Sequence, residues 1–179
     1  MSVFLSSAAL VQQRTSKVAR VYLSLGSNID PEANLRIGVD ELRRRYGDVR
    51  LSDTYQSAAV GFEGADFLNL VAALDTDDSP ARIHKRIEAI HGMAGRARAT
   101  DRFSSRPLDI DLLLYDDLIL NEPPLCLPRS DILKYSFVLR PLAELVPDLV
   151  HPETGRTISD HWLEFDKHRQ PLVRVDLSL

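Results

Sequence analysis

Apolar positions recur along this chain with two periods, and the switches between them outline its elements. Val21-Tyr22-Leu23-Ser24-Leu25 has a strand's pattern and runs into Gly26-Ser27-Asn28, a turn signal. Asp30-Pro31 then opens a helix, since proline is tolerated in a first turn. Leu35, Val39 and Leu42 form its apolar stripe, Glu41, Arg43, Arg44 and Arg45 face water, and Gly47 ends it. A strand is predicted over 49–57, then a loop over 58–65 carrying Gly61 and Gly64. Phe67-Leu68-Asn69-Leu70-Val71-Ala72-Ala73-Leu74 reads as a mostly buried strand. Ser79-Pro80 caps a second helix that runs to about Ile90, with Ile83, Ile87 and Ile90 on one side. Residues 91–107 are loop-like, Leu108 to Tyr115 is a strand, and Leu118 to Leu120 continues it after a turn at Asp116-Asp117. A proline-broken stretch leads to short helices near 130–146. The order β-α-β-β-α-β predicts an α+β fold on the ferredoxin-like plan, a largely antiparallel sheet flanked by helices. Residues 1–17 form a weakly specified N-terminal extension, and 18–179 form a single domain.

Composition narrows the class. With 179 residues, 44% hydrophobic and 27% charged, the chain has the make-up of a globular protein. A net charge of −4 argues against nucleic acid as a partner. The charge is uneven, however. Arg82, Lys85, Arg86, Arg96, Arg98, Arg102 and Arg106 make a basic block that suits a small polyanion such as a nucleotide. The lone cysteine, Cys126, can form neither an internal disulfide nor a zinc site by itself. No apolar run has the length to span a bilayer, so no membrane partner is expected. The patch Ala8-Ala9-Leu10-Val11 lacks a basic leader, which points to a cytoplasmic protein.

The chemistry centres on Asp109 and Asp111. Two apart on a strand, their carboxylates project from one face about 7 Å apart, while Leu108, Ile110 and Leu112 face apolar packing. Two such carboxylates repel unless a cation sits between them, and hard oxygen ligands of this kind suit Mg²⁺ with substrate phosphate and water completing its shell. The alternative is an edge strand with a solvated acidic face. Arg96, Arg98, Arg102 and Arg106 precede the pair, and a guanidinium fork matches phosphate oxygens. They could instead be salt-bridged to the aspartates, but four cations against two anions leave charge over for a triphosphate such as ATP. Metal carboxylates with arginine clamps form the toolkit of phosphoryl transfer, and no Walker glycine-lysine motif is present.

Asn69 interrupts an apolar strand and needs hydrogen-bond partners if buried. It is either a locally satisfied core amide or a fork that reads the edge of a heterocycle. Phe67 shares its face and could stack on such a ring, and Phe137 is a second candidate. His84, His91, His151, His161 and His168 are not spaced as a metal cluster.

Several segments taken together carry a resemblance: Leu25-Gly26-Ser27-Asn28, Asp66-Phe67-Leu68-Asn69, Gly95-Arg96-Ala97-Arg98, Arg106-Pro107-Leu108-Asp109-Ile110-Asp111-Leu112-Leu113, Leu127-Pro128, Pro141-Leu142-Ala143 and His151-Pro152. In this order the chain, from about Val21 to Asp160, resembles the 6-hydroxymethyl-7,8-dihydropterin pyrophosphokinase family of folate biosynthesis. The resemblance implies transfer of a pyrophosphoryl group from ATP to the pterin hydroxymethyl oxygen, releasing AMP. It further implies that Asp109 and Asp111 hold two Mg²⁺ ions and that Arg96 and Arg106 contact the ATP phosphates. Ser57, Val60, Phe67, Asn69 and Phe137 would form the pterin pocket, the phenylalanines sandwiching the ring, and the loops 58–66 and 95–106 would close as lids.

This chain departs from the family pattern at several positions. Arg129 and Ser130 follow Leu127-Pro128 where a histidine and then a tyrosine or proline are usual, so Arg129 is expected to replace the phosphate-binding histidine beside Arg98 and Arg102. Phe103 stands for a frequent tryptophan, Ser104 for a glycine or alanine, Ala99 for a basic residue, His91 for an acidic one, and Ala58-Ala59 for a proline-containing segment. Phosphate-lid positions have thus changed more than metal and pterin positions. A different pterin alcohol as acceptor, or a non-catalytic pterin- or nucleotide-binding role, are the alternatives. A monomer or weak dimer is expected.

Overall fold

The computed structural model describes residues 18–95 and 106–179. Its elements follow the order β1 (Ala19–Ser27), α1 (Pro31–Tyr46), β2 (Val49–Leu51), β3 (Thr54–Ser57), β4 (Phe67–Thr76), α2 (Pro80–Met93), β5 (Asp109–Tyr115), β6 (Leu120–Glu122), β7 (Leu125–Leu127), α3 (Asp131–Lys134), α4 (Ser136–Leu145), α5 (Ile158–Glu164) and β8 (Val173–Val175). One antiparallel sheet runs β5-β1-β4-β3-β8, with β2 also on β4. The α+β, ferredoxin-like expectation therefore holds, with β8 added at one edge and β5 forming the other.

Alternation divides the sheet. On one face Val21, Leu23 and Leu25 of β1, Leu70 and Ala72 of β4, and Ile110 and Leu112 of β5 pack beneath α1 and α2 with Leu35, Val39, Ile83 and Ile87. On the other face, Tyr22, Val71, Ala73, Leu113 and Leu114 are covered by Val138, Leu139 and Leu142 of α4 and Ile158 of α5. Fully burying one such side chain is worth about 1.5–3 kcal/mol. A one-residue slip of β5 against β1 would expose Ile110 and Leu112 and bury both aspartates, so packing fixes which way the acidic pair faces.

Several boundaries differ from the sequence reading. The predicted strand over 49–57 breaks at Ser52-Asp53. Leu51 pairs Ala72 and Tyr55 pairs Asn69, so four steps on one strand match three on β4 and one residue is extra. Ser52 occupies the gap: its amide donates to Val71 O at 2.9 Å and its Oγ accepts from Val71 N at 2.9 Å. The helix expected to end near Ile90 runs on to Met93, shortening the loop-like stretch at 91–107. Leu120 does not prolong β5 but starts a separate hairpin with β7. Helix α5 and strand β8 are further elements beyond those expected. Among the described residues, no helix is long and apolar enough to cross a membrane. Residues 1–17, read as an extension, and the segment holding Arg96, Arg98 and Arg102 lie outside the described residues.

Candidate active site

On the face covered by α4, the apolar half of each strand gives way to a polar half. Register places Asp109, Gly26, Asn69 and Tyr55 side by side across β5, β1, β4 and β3, with Asp111, Ser24 and Val71 as the next row. Neighbouring strands lie about 4.8 Å apart, so Asp109 and Asn69 stand roughly 10 Å apart across Gly26. Gly26 is needed as a floor. A Cβ there would sit 3.0 Å from Asn69 Oδ1 and 3.8 Å from Phe67 Cδ1.

A cavity of about 350 Å³ opens above this floor. Every expected pterin-pocket position lines it: Ser57, Val60, Phe67, Asn69 and Phe137. So do Arg106, Asp109, Asp111 and Arg129. The structure supplies second rings that the sequence reading missed. Phe62 meets Phe67 edge-on at 6.2 Å, and Tyr135 stacks on Phe137 at 5.0 Å, so each phenylalanine is backed by another aromatic. Asn69 is buried, and its Nδ2 donates to Ser57 Oγ at 3.0 Å and Tyr55 O at 3.3 Å. A backbone carbonyl only accepts, so the nitrogen end must point there, and Oδ1 lies over Gly26. The amide is satisfied on its nitrogen side, and its oxygen lies at the cavity floor.

The first turn after β1 clamps the start of the acidic strand. Asn28 Oδ1 accepts from Arg106 N at 2.7 Å, Asn28 N donates to Arg106 O at 3.2 Å, and Asn28 Nδ2 reaches Ala65 O at 3.1 Å. Ser27 Oγ donates to Pro107 O. In the sequence Ser27 and Asn28 stood out as a turn signal and as part of a family segment; this clamp was not legible, because their partners lie 37 to 80 residues away.

Both aspartates are ion-paired. Arg106 Nη1 pairs with Asp109 Oδ2, and Arg129 Nη2 lies 3.2 Å from Asp111 Oδ1. Arg129 is held in turn by Asp131, whose Oδ2 accepts from Nε at 2.7 Å. Its backbone N donates to Leu113 O at 2.9 Å, at the point where the β1–β5 register shifts. Burial works against the Arg129 charge, yet Asp111 and Asp131 keep its pKa above the ordinary guanidinium value. Asp111 behaves oppositely: burial, and then the neighbouring Asp109 charge, push its pKa up to about 6 despite Arg129. Of the four arginines for which a salt bridge was the alternative, Arg106 forms one with Asp109, and Arg129 adds a second with Asp111; Arg96, Arg98 and Arg102 lie outside the described residues.

A second cavity, of about 370 Å³, lies on the outer side of β5. Its walls are His84, Ile87, Glu88 and His91 of α2 and Leu125, Cys126 and Leu127 of β7. It shares Arg106, Asp109, Asp111 and Arg129 with the first, so the acidic pair and its arginines stand where the two cavities meet. Among the described residues, no group of three His, Cys, Asp or Glu side chains is placed to hold an ion unaided. His151 and His161 approach at 5.8 Å, but far along the chain from the acidic pair.

Comparison with known proteins agrees with this geometry. Residues 22–147 match the family model "7,8-dihydro-6-hydroxymethylpterin-pyrophosphokinase". The chain is 36% identical over 147 residues to the 2-amino-4-hydroxy-6-hydroxymethyldihydropteridine pyrophosphokinase of Pseudomonas aeruginosa, covering 80% of this chain and 90% of that one. It is 37% identical over 139 residues to the protein of the same description from Synechocystis, covering 76% and 71%. In fold it is similar to a crystal structure of Plasmodium falciparum HPPK-DHPS, with a TM-score of 0.67 at 13% identity; 85% of this chain is covered but only 44% of that one. Apart from His151-Pro152, the segments that carried the resemblance fall within residues 22–147, and the chain belongs to the 7,8-dihydro-6-hydroxymethylpterin pyrophosphokinase family.

Proposed function

We propose that this chain transfers the pyrophosphoryl group of ATP to the hydroxymethyl oxygen of 6-hydroxymethyl-7,8-dihydropterin, with the pterin in the first cavity and the nucleotide in the second. The observation that carries this reading is the shared wall: Arg106, Asp109, Asp111 and Arg129 line both cavities. A group passing between two bound molecules must cross that wall. In the transfer the hydroxymethyl oxygen bonds to the β-phosphorus as its proton is lost to solvent, the bond from that phosphorus to the oxygen bridging it to the α-phosphorus breaks, and AMP leaves with the electron pair.

Each residue then has a task. Phe67 and Phe137, each backed by a second ring, form apolar walls for a flat heterocycle. Asn69 presents its amide at the cavity floor beside Ser57, both positioned to read the heterocycle's polar edge. A 350 Å³ cavity is at the small end of ligand pockets, which suits a bicyclic ring. Arg106 and Arg129 neutralise the aspartates in the metal-free protein. Once cations screen those carboxylates, the same guanidinium groups are available to phosphate oxygens. Arg96 belongs to this phosphate reading through the family resemblance, and Arg98 and Arg102 through guanidinium groups that stand in the sequence just before the acidic strand.

The donor set fits Mg²⁺. Asp109 and Asp111 offer hard oxygens on one face, and two protein carboxylates with phosphate and water completing the shell is that ion's usual arrangement. Burial first, and then the neighbouring Asp109 charge, disfavour the ionised Asp111 carboxylate, and a bound cation would offset both. Asp109 and Asp111 would hold the two Mg²⁺ ions, which when bound would neutralise the charge of the ATP phosphates. Incubation with ATP, Mg²⁺ and the pterin, followed by chromatography for AMP, tests the reading. AMP should accumulate in proportion to the pterin supplied, and none above background at saturating substrates would overturn it.

A further inference from the structure

Because β5 is the outer strand of the sheet, every second backbone N–H on it points away from β1 and needs another partner. At Ile110, the residue between the two aspartates, that partner is a side chain. The Ile110 amide donates to Nε2 of His91 at 2.8 Å. An accepting nitrogen carries no proton, so the imidazole proton sits on Nδ1, where Glu88 Oε1 lies at 3.2 Å to receive it. His91 is 5% exposed and belongs to the last turn of α2, from which the chain runs on to Gly95 and the arginine-bearing segment.

The position of this bond matters more than its strength, which for a neutral pair is about 0.5–1.5 kcal/mol. Asp109 and Asp111 are held on the inner side through their pairing with Gly26 and Ser24. On the outer side, between them, the Ile110 amide is held by the His91 ring. Mg²⁺ tolerates little slack, since it demands near-octahedral geometry at about 2.0–2.1 Å. A plain core histidine would need only to be buried and satisfied. This one joins the end of a helix to the midpoint of the Asp-x-Asp motif, and it also faces the second cavity. The imidazole supplies what the edge strand requires here, an acceptor aimed at Ile110.

We propose that His91 is a positioning residue for the acidic pair: by accepting from Ile110 N it sets the carboxylate geometry that binds divalent metal. The proposal rests on the metal reading of Asp109 and Asp111. The test compares wild type with His91→Leu, which removes the acceptor at similar volume, and His91→Gln, whose Oε1 reaches about where Nε2 stands. Mn²⁺ uptake in the presence of a non-hydrolysable ATP analogue is followed by loss of the free-ion EPR signal, with Ile110 amide exchange and thermal melting in parallel. Removing a group that orients a metal ligand typically weakens metal binding about 10–100-fold. His91→Leu should therefore raise the Mn²⁺ concentration for half-occupancy roughly tenfold or more and speed Ile110 exchange, while His91→Gln stays within about threefold of wild type. Faster Ile110 exchange and a lower melting temperature with unchanged Mn²⁺ uptake would mean a structural role only and overturn the proposal. Weaker binding of the analogue without metal, at unchanged Mn²⁺ uptake, would make His91 a nucleotide contact and overturn it too. Wild-type protein that takes up no Mn²⁺ would overturn the metal reading itself, and this role with it.

Discussion

Two regions of the same sheet face, separated by a residue or two along each strand, are built on opposite terms. In one, Tyr22, Val71, Ala73, Leu113 and Leu114 meet Leu139, Leu142 and Ile158 and are sealed. In the other, Gly26, Asn69, Asp109 and Asp111 line an open cavity, and their charges are met by Arg106 and Arg129 instead of by apolar cover. The backbone is continuous through both, so the sealed half supplies the rigidity that the polar half lacks. Arg129 shows the dependence directly. Its side chain belongs to the open half, while its backbone is pinned to Leu113 O in the sealed half.

The contrast predicts that changes in the two halves move different observables. The largest effect is expected at the acidic pair. Asp109→Ala or Asp111→Ala should lower AMP production at least about a thousandfold, the loss of roughly 4 kcal/mol of charge stabilisation, with circular dichroism unchanged. Loss of the fold in both variants would place the pair on the structural side of the comparison. Next comes the sealed half: Leu142→Ala should cost about 2–5 kcal/mol in denaturant melts, while turnover per folded molecule stays near wild type. A large fall in turnover without loss of stability there would break the division.

Asn69→Leu lies on the boundary. Removing an amide that holds Ser57 and reads the ligand should raise the pterin KM about 10–100-fold with a smaller change in the ATP KM, measured by AMP release at varied substrate. Equal changes in both constants would show that Asn69 shapes the wall rather than the acceptor.

The smallest effect is the pH response of the metal-free protein. Asp111 has a folded-state pKa of about 6, above the roughly 3.9 of an unfolded aspartate. The folded state therefore binds this proton more tightly. The penalty of the ionised carboxylate is fully present above about pH 6 and relieved as pH falls toward about 4. Melting temperature of wild type, compared with Asp111→Asn across that window, should show a contribution that rises on acidification in wild type only. Mg²⁺ with nucleotide should flatten it, because cation and proton compete for one carboxylate; an unchanged slope would count against metal at Asp111.

The register of apolar positions was legible in the sequence because alternation is local: Leu108, Ile110 and Leu112 inward, Asp109 and Asp111 outward, is what the fold shows. Asn69 was legible as an exception to an apolar pattern and Phe67 as the ring that shares its face, while Phe137 was one candidate ring among others until the family resemblance set all three in one expected pocket. Phe62 and Tyr135 carried no such signal, since an aromatic in a loop or before a short helix looks like any other. The strand break at Ser52-Asp53 escaped notice because the slip depends on how β4 receives β2 and β3.

By itself, then, the sequence determined the antiparallel plan and the face on which the carboxylates stand, which follow from spacing within a few residues, and the family, which follows from motifs in a fixed order along most of the chain. Tertiary structure decided what those carboxylates touch. Asp111 meets Arg129 across a hairpin, Arg106 is clamped by Asn28 from the first turn, and the amide between the aspartates ends on His91 of a neighbouring helix. Such pairings join residues far apart in the chain. They are set by how sheet and helices pack, and no local period of apolar and polar residues encodes them.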